Sequence, residues 1–304
     1  MIFPSTEFLL SPWCLALLGL CIGSFLNVVI HRLPQAMDRQ WKLESADLLG
    51  VARPDVPEPV TLSQPRSRCP SCGHVIAWHE NIPVLSYLRL GGRCSACKAR
   101  ISLRYPLVEI GTAALFAAVG WHIGPQPPAL MWCAVVATLV ALAGIDWDTT
   151  LLPDDLNQPL LWAGLVASAL GWTLPLGTAL WGAVAGYLSL WTVYWFFKLA
   201  TGDGSPHAPW RWDHWSARAA SGKEGMGHGD FKLLAALGAW LGWQMLLPIV
   251  LGASVIGAVI GIAMKLSSNL REGVYVPFGP FLAGSGIVVM IAGPSRVMDW
   301  FGWV

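Results

Sequence analysis

Apolar runs long enough to cross a bilayer alternate along this chain with short polar joints, and the pattern breaks once. Phe8 to Ile30 is the first run; Pro106 to Ile123, Ala129 to Ile145, Leu160 to Leu176 and Thr178 to Phe197 are the next four. About 20 apolar residues make one transmembrane helix, so each run predicts one span. The 34 mostly apolar residues from Phe231 to Met264 are too many for one span and predict two helices turning near Trp243-Gln244. Two helices also return Lys265 and Arg271 to the side of Asp230, as the bias of basic residues toward the cytoplasm requires. Pro277 to Ala292 is the last run. The prediction is an all-α polytopic membrane protein with about eight transmembrane helices. Gly19 and Gly23, and again Gly257 and Gly261, have the spacing that lets helix backbones approach closely.

The break is a polar insert between the first and second spans. Gln35 to Gln64 carries mixed charge and Pro54, Pro57 and Pro59, which predicts a loop with one short helix around Trp41 to Leu49. Composition sharpens this picture. Of 304 residues 55% are hydrophobic and 12% charged, with mean hydropathy +0.54, which favours a membrane body over two soluble domains. The net charge of +1 hides an asymmetry: eleven of the nineteen Lys and Arg lie between Arg32 and Arg104. The insert is therefore expected on the cytoplasmic side. With eight spans both termini then face outward, and Arg296 is the one basic residue outside. Met1 to Glu7 has no basic residue and the first run is of full spanning length, so it is expected to stay as an anchor. Eighteen tryptophans suit a chain with many membrane interfaces. The expected divisions are 1–31, a first transmembrane helix; 32–104, the cytoplasmic insert; and 105–304, a seven-helix core.

Four of the seven cysteines lie in the insert, as Cys69-Pro-Ser-Cys72 and Cys94-Ser-Ala-Cys97 with 21 residues between the pairs. Two such knuckles can place four thiolates tetrahedrally around zinc, and a full set of four leaves no open position, so the zinc is expected to be structural. Disulfides are the competing reading, disfavoured in a reducing cytoplasm. His74 and His79 are close by but not needed as ligands. Cys14, Cys21 and Cys133 sit in apolar runs and are expected to be small core residues. Asn27 and His31 share a helix face, where an interhelical hydrogen bond is favoured over catalysis. Glu109, just inside the second span, is either interfacial or part of a polar site.

Two acids at helix ends carry the candidate chemistry. Asp146 closes the third span, before Leu152-Pro153-Asp154 opens the fourth. Asp230 opens an apolar helix within Gly225-Met-Gly-His-Gly-Asp-Phe-Lys232. Ionisable groups at membrane helices are functional candidates by default; the blander reading makes Asp230 only a helix cap. Two carboxylates sharing a proton can polarise a water: the ionised one takes its proton while the neutral one donates to a peptide carbonyl. Gly227 and Gly229 would let a substrate backbone approach and accept positive φ. The helix dipoles, with Lys232 beside Asp230, favour Asp230 as the carboxylate and Asp146 as the holder of the proton. Asp148 is a rival to Asp146.

The chain resembles the bacterial type IV prepilin peptidases. The resemblance rests on Gly23 to Pro34; on Arg66 to Glu109, including Asn81-Ile-Pro-Val-Leu-Ser-Tyr87 and Arg104-Tyr-Pro-Leu-Val-Glu109; on Ile145 to Asp154; and on Gly225 to Gly242. It implies removal of a short basic leader from prepilins or type II secretion pseudopilins at the cytoplasmic membrane surface, then methylation of the new N-terminal residue with S-adenosylmethionine. It also implies that Asp146 and Asp230 are the catalytic pair, because the family places its acid seven residues before the proline, here Pro153. Prepilin substrates and membrane lipid are the implied partners, with no nucleic acid, in the inner (cytoplasmic) membrane.

Two features depart from that family. Asp203 to Gly222, with His207, Trp210, Trp212, Asp213, His214 and Trp215, is extra sequence before the glycine motif, read as an aromatic loop rather than a second metal site. No glycine-rich nucleotide loop follows a strand, so S-adenosylmethionine is implied by resemblance alone. Two other readings compete: a peptidase whose zinc insert only docks substrate, and a transporter with an intramembrane acidic pair.

Overall fold

The structure, a computed structural model of the chain, describes residues 6–56, 58–200, 227–266 and 276–302. Gly225, Met226, Arg271 and the stretch Asp203 to Gly222 lie outside the described residues. The fold is helical, with two isolated antiparallel bridges and no strand among the described residues. It forms two compact units, Met1–Ala141 and Leu142–Val304.

The first unit holds α1 (Thr6–Leu9), α2 (Pro12–Leu49), α3 (Leu85–Arg89), α4 (Arg104–Ile123) and most of α5 (Pro128–Thr149). Ser11 caps α2, its hydroxyl accepting from the Cys14 amide, and Pro12 opens the helix where its missing N–H costs nothing. The loop expected from Gln35 begins only after Gly50: α2, 38 residues in all, runs through Pro34 to Leu49 and absorbs the predicted Trp41 helix. Pro34 removes one hydrogen bond, but the residues after it are good helix formers, tied by Lys42–Asp38 and Gln40–Glu44 four apart. Gly50, at φ 63°, ends the helix in a left-handed cap. At 1.5 Å per residue α2 is about 57 Å long, so only part of it can lie in a hydrocarbon layer of about 30 Å.

Gly19 and Gly23 do set α2 against α4. A β-carbon on Gly19 would lie 2.7 Å from the Ala113 Cα, and one on Gly23 would lie 2.8 Å from the Glu109 Cα. Asn27 extends the seam, its side-chain amide donating to the Tyr105 carbonyl at 3.1 Å, the expected interhelical bond.

The second unit is built around α8 (His228–Leu241), with α6 (Asp154–Ala169), α7 (Leu176–Ala200), α9 (Leu246–Leu266), α10 (Gly279–Ala292) and α11 (Pro294–Phe301). Asp230, Phe231 and every residue from Leu233 to Leu241 are buried, as a helix apolar on all sides requires. Gly182 on α7 and Gly238 on α8 bring the two backbones into contact. Trp240 crosses to α6 and donates its indole N–H to the Leu160 carbonyl at 2.8 Å. The expected turn between the two helices falls at Gly242, φ 87°, followed by a short 3-10 turn at Trp243–Met245. Gly257 packs against Phe281 of α10, whereas Gly261 faces open space. Beyond α10 the chain bends by 102° into α11, which no apolar run announces.

Among the described residues five helices are long and apolar enough to cross a membrane, or six if α10 and α11 are one broken span. The helices α6, α8 and α10 have 16, 14 and 14 residues. Fourteen residues reach only about 21 Å, short of the hydrocarbon thickness. Large apolar side chains such as Leu17, Leu107, Ile110, Val255, Val259 and Ile262 stand exposed on the long helices, as lipid-facing surfaces do. The architecture is that of a polytopic helical membrane protein.

Candidate active site and metal centre

Asp146 sits one turn from the end of α5. The helix stops because Thr150 takes a left-handed φ of 53° and donates its N–H to the Asp146 carbonyl. Leu151 to Pro153 is non-helical, and Pro153, extended, starts α6. Asp230 is the third residue of α8, whose N-cap is Gly227. Asp230 is therefore not the cap, and the blander reading of it falls.

Both carboxyl groups are 5% exposed, and each keeps one enclosed oxygen, Oδ2 of Asp146 and Oδ1 of Asp230, without a hydrogen-bond partner among the described residues. The two are near enough to act on each other electrostatically. Backbone amides flank them, that of Gly279 beside Asp146 and that of Gly227 beside Asp230. Buried polar atoms in folded proteins nearly always have partners, and leaving one without costs about 1–3 kcal/mol. Two such oxygens on neighbouring acids are the geometry of a site that expects water or substrate. Asp148, by contrast, is exposed.

Glycine shapes the walls. A β-carbon on Gly229 would come within 2.6 Å of the Leu152 Cβ, and one on Gly279 within 2.5 Å of Asp146 Oδ2. Gly229 is thus glycine because Leu152 occupies the space beside it. Neither Gly227, at φ −77°, nor Gly229, inside the helix, has the positive φ expected. Gly227 does leave space over the acid, with Asp230 Oδ2 3.7 Å from where its β-carbon would be. Trp147 packs edge-on to Phe281 with ring centroids 6.4 Å apart, holding the end of α5 to the start of α10.

Lys232 differs from expectation. Its ammonium lies 2.7 and 2.6 Å from the two oxygens of Asp154, one turn before Asn157 on α6. The side chain points away from the acid two residues earlier, because positions two apart on a helix do not share a face. The charge assignment thereby loses its Lys232 part and keeps its helix-dipole part, with Asp146 in the last turn of α5 and Asp230 in the first turn of α8. Two residues passed over in sequence join the site instead. Gly279 was read only as part of the last span. Asn157 is 1% exposed, donates from Nδ2 to the Gly229 carbonyl at 3.5 Å, and keeps Oδ1 without a partner among the described residues.

In the first unit the sulfurs of Cys69, Cys72, Cys94 and Cys97 lie within 4.8 Å of one another. The two knuckles repeat one pattern. Cys69 N–H donates to the His74 carbonyl and Gly73 N–H to the Cys69 carbonyl; Cys94 N–H donates to Ala99 and Lys98 N–H to Cys94. Gly73 and Lys98, at φ 73° and 61°, make the same turn in each. The backbone amides of Ser71 and Cys72 pull the Cys69 thiol down to about 6 and those of Cys97 and Ala96 lower Cys94, whereas, against the His74 amide, hydrogen bonding with Cys97 and burial push Cys72 up to about 12. Four convergent sulfurs fit a tetrahedral metal ion. All seven cysteines are free, and the four sulfurs of the knuckles converge as one set. His74 turns to Glu80 at 3.1 Å and Ser95 at 3.3 Å, tying one knuckle to the other. Of the remaining cysteines only Cys133 is a core residue; Cys14 is half-buried and Cys21 exposed.

Sequence models of two families match, the Bacterial Peptidase A24 N-terminal domain over residues 17–123 and the Type IV leader peptidase family over residues 133–262. The chain is 48% identical over 280 residues to a Prepilin leader peptidase/N-methyltransferase of Pseudomonas aeruginosa, covering 92% of this chain and 90% of that one. Proteins of the same name from Pseudomonas putida (49% over 276 residues; 91% and 88%) and Aeromonas salmonicida (46% over 296; 95% and 94%) are similarly alike. No solved structure matches. The four cysteines fall within the first matched region and Asp146 and Asp230 within the second, and at this identity over nearly its whole length the chain belongs to the type IV leader peptidase family.

Proposed function

We propose that this chain removes the leader peptide of type IV prepilins or type II secretion pseudopilins and then methylates the new N-terminus. The carrying observation is the pair of enclosed acids, Asp146 and Asp230, each with an oxygen that no group among the described residues satisfies. One carboxylate takes a proton from water while the other, protonated, donates to the scissile carbonyl, and the roles exchange as the leaving amine is protonated. Gly227 leaves room for a peptide backbone over Asp230, Gly229 and Gly279 bring Leu152 and α10 against the acids, and Lys232 anchors α8 to α6 through Asp154.

The names of the relatives support the second activity, with S-adenosylmethionine supplying the methyl group. Cys69, Cys72, Cys94 and Cys97 hold a structural zinc in a cytoplasmic insert, residues 32–104, which serves the methylation half; 1–31 is the first anchor and 105–304 the peptidase core. In this reading α2, α4, α5, α6, α7, α8, α9 and α10 are eight spans of an inner-membrane protein. The active site faces the cytoplasm, both termini are periplasmic, and the partners are prepilins and lipid, not nucleic acid.

Incubation with a prepilin separates the parts. Asp146→Asn and Asp230→Asn should each abolish leader removal, and full processing by either variant sinks the dyad. Mass spectrometry of the processed N-terminus tests the second half: an unmethylated residue would leave a peptidase whose zinc insert only docks substrate.

A further inference from the structure

Among the described residues Glu109 is the one buried acid outside the candidate peptidase site. It is 8% exposed, and its sole hydrogen bond among the described residues comes from the Val84 amide to Oε2 at 2.7 Å; no cation pairs with it there. Oε2 is held by that amide, while Oε1 is not among the enclosed unpartnered oxygens and so is open to a ligand; a largely buried carboxylate with no countercharge among the described residues favours a cation that reaches it.

Its setting is built. Val84 has φ 59° and ψ −48°, and Leu85 N–H turns back to the Pro83 carbonyl, a three-residue γ-turn of the positive-φ kind. That conformation is strained for a β-branched residue, costing on the order of 1–3 kcal/mol, and such strain collects at ligand clamps and active sites. The turn directs the Val84 N–H at Glu109, which orients the carboxylate. Behind it Gly23 lets α2 press on the Glu109 Cα, and Ser86, 5% exposed, ties the turn to the His79 carbonyl. Glu109 is five residues into α4, about 7.5 Å along the helix from Arg104, a depth near a membrane boundary.

We propose that Glu109, clamped by the Val84 turn, is the anionic half of an onium-binding site that serves the methyl transfer. The inference rests on the methylation half of the function above. That reaction brings two organic cations together, the α-ammonium of the cleaved substrate and the sulfonium of the methyl donor, and a carboxylate with one oxygen already held suits either.

The test uses the full-length enzyme in detergent with two ligand pairs, each a cation and its neutral counterpart. The first is S-adenosylmethionine against S-adenosylhomocysteine, by equilibrium dialysis. The second is a pre-cleaved pilin peptide against its N-acetylated form. The wild type should prefer the cation in at least one pair by about tenfold or more. Glu109→Gln should abolish that preference without weakening the neutral ligand, while leader cleavage and zinc content stay as in wild type. The pair affected identifies which cation Glu109 holds. No cation preference in either pair by the wild type overturns the proposal without any variant. So does an unchanged preference in Glu109→Gln, or equal loss of cation and neutral ligand with zinc and cleavage intact. A wild type that never methylates pre-cleaved peptide sinks the methylation reading instead, whereas methylation without a Glu109-dependent preference sinks only this inference.

Discussion

A β-carbon on Gly279 would stand 2.5 Å from Oδ2 of Asp146 and 3.1 Å from its Cγ, so α10 begins directly against the carboxylate. Gly279→Ala should push Asp146 out of place. A displacement of about 1 Å in a catalytic group can cost about 100-fold. The expected result is a loss of that order in kcat for leader cleavage, with zinc content and thermal midpoint close to wild type. Gly284→Ala on the same helix, where nothing lies within 4 Å, should be silent. Equal activity in the two variants would mean that Asp146 tolerates the intrusion or does not take part.

The Lys232–Asp154 ion pair is expected to matter little for chemistry. Its side chains are 30% and 55% exposed, and pairs so open to solvent are worth about 0.2–1 kcal/mol and weaken with salt. Lys232→Met should lower the thermal midpoint slightly, less so in high salt, and leave the pH profile of cleavage where it was. Exchanging the charges, Lys232→Asp with Asp154→Lys, should restore the midpoint. A shifted pH profile in Lys232→Met would return the lysine to the neighbourhood of Asp230.

These two contacts mark where sequence stops being informative. Asp146, Asp230 and the four cysteines could be read because acids beside apolar runs are rare and paired Cys-x-x-Cys spacings are specific. The helix break near Trp243 could be read because a single span would have put Lys265 on the wrong side. The companions of Asp146 and Lys232 could not, since each is far away in the chain and carries no local signature. The length of α2 was misread for a different reason: Pro34 is a strong local stop signal, and the helix-forming residues that follow outweigh it. The order of the apolar runs was easier to see than helix length, which turns on where caps such as Gly242 and Gly293 end α8 and α10.

Asn157 offers a sharper separation of structure from chemistry. Its Oδ1 is enclosed and has no partner among the described residues, beside the turn that carries Asp230. Removing an enclosed polar atom without a partner relieves a cost of about 1–3 kcal/mol, set against only the long 3.5 Å bond to the Gly229 carbonyl that is lost with it. Asn157→Leu should therefore keep or raise the thermal midpoint while kcat for leader cleavage falls about tenfold or more, with a smaller change in KM. The reverse outcome, a lower midpoint with unchanged kcat, would make Asn157 a packing residue that substrate never meets.

The zinc knuckles can be tested apart from the peptidase, and their pH behaviour follows from Glu80. The Ser95 hydroxyl, the Ala77 amide and His74 hold the Glu80 carboxyl down at about 2, against an ordinary 4.5. A depressed acid stabilises the fold fully above its ordinary value, and that stabilisation drains away as pH falls from about 4.5 toward 2. Glu80→Gln should thus release zinc to a chelator faster than wild type, by the same factor at about pH 6 and about pH 8, since Glu80 does not titrate between them. A ratio that changes across that interval would mean that a group other than Glu80 controls zinc release. Cys72→Ser, or exhaustive chelation of the wild type, should abolish methylation of a pre-cleaved pilin while an intact prepilin still loses its leader. Loss of leader removal on zinc depletion would instead make the metal part of what folds or feeds the aspartate site.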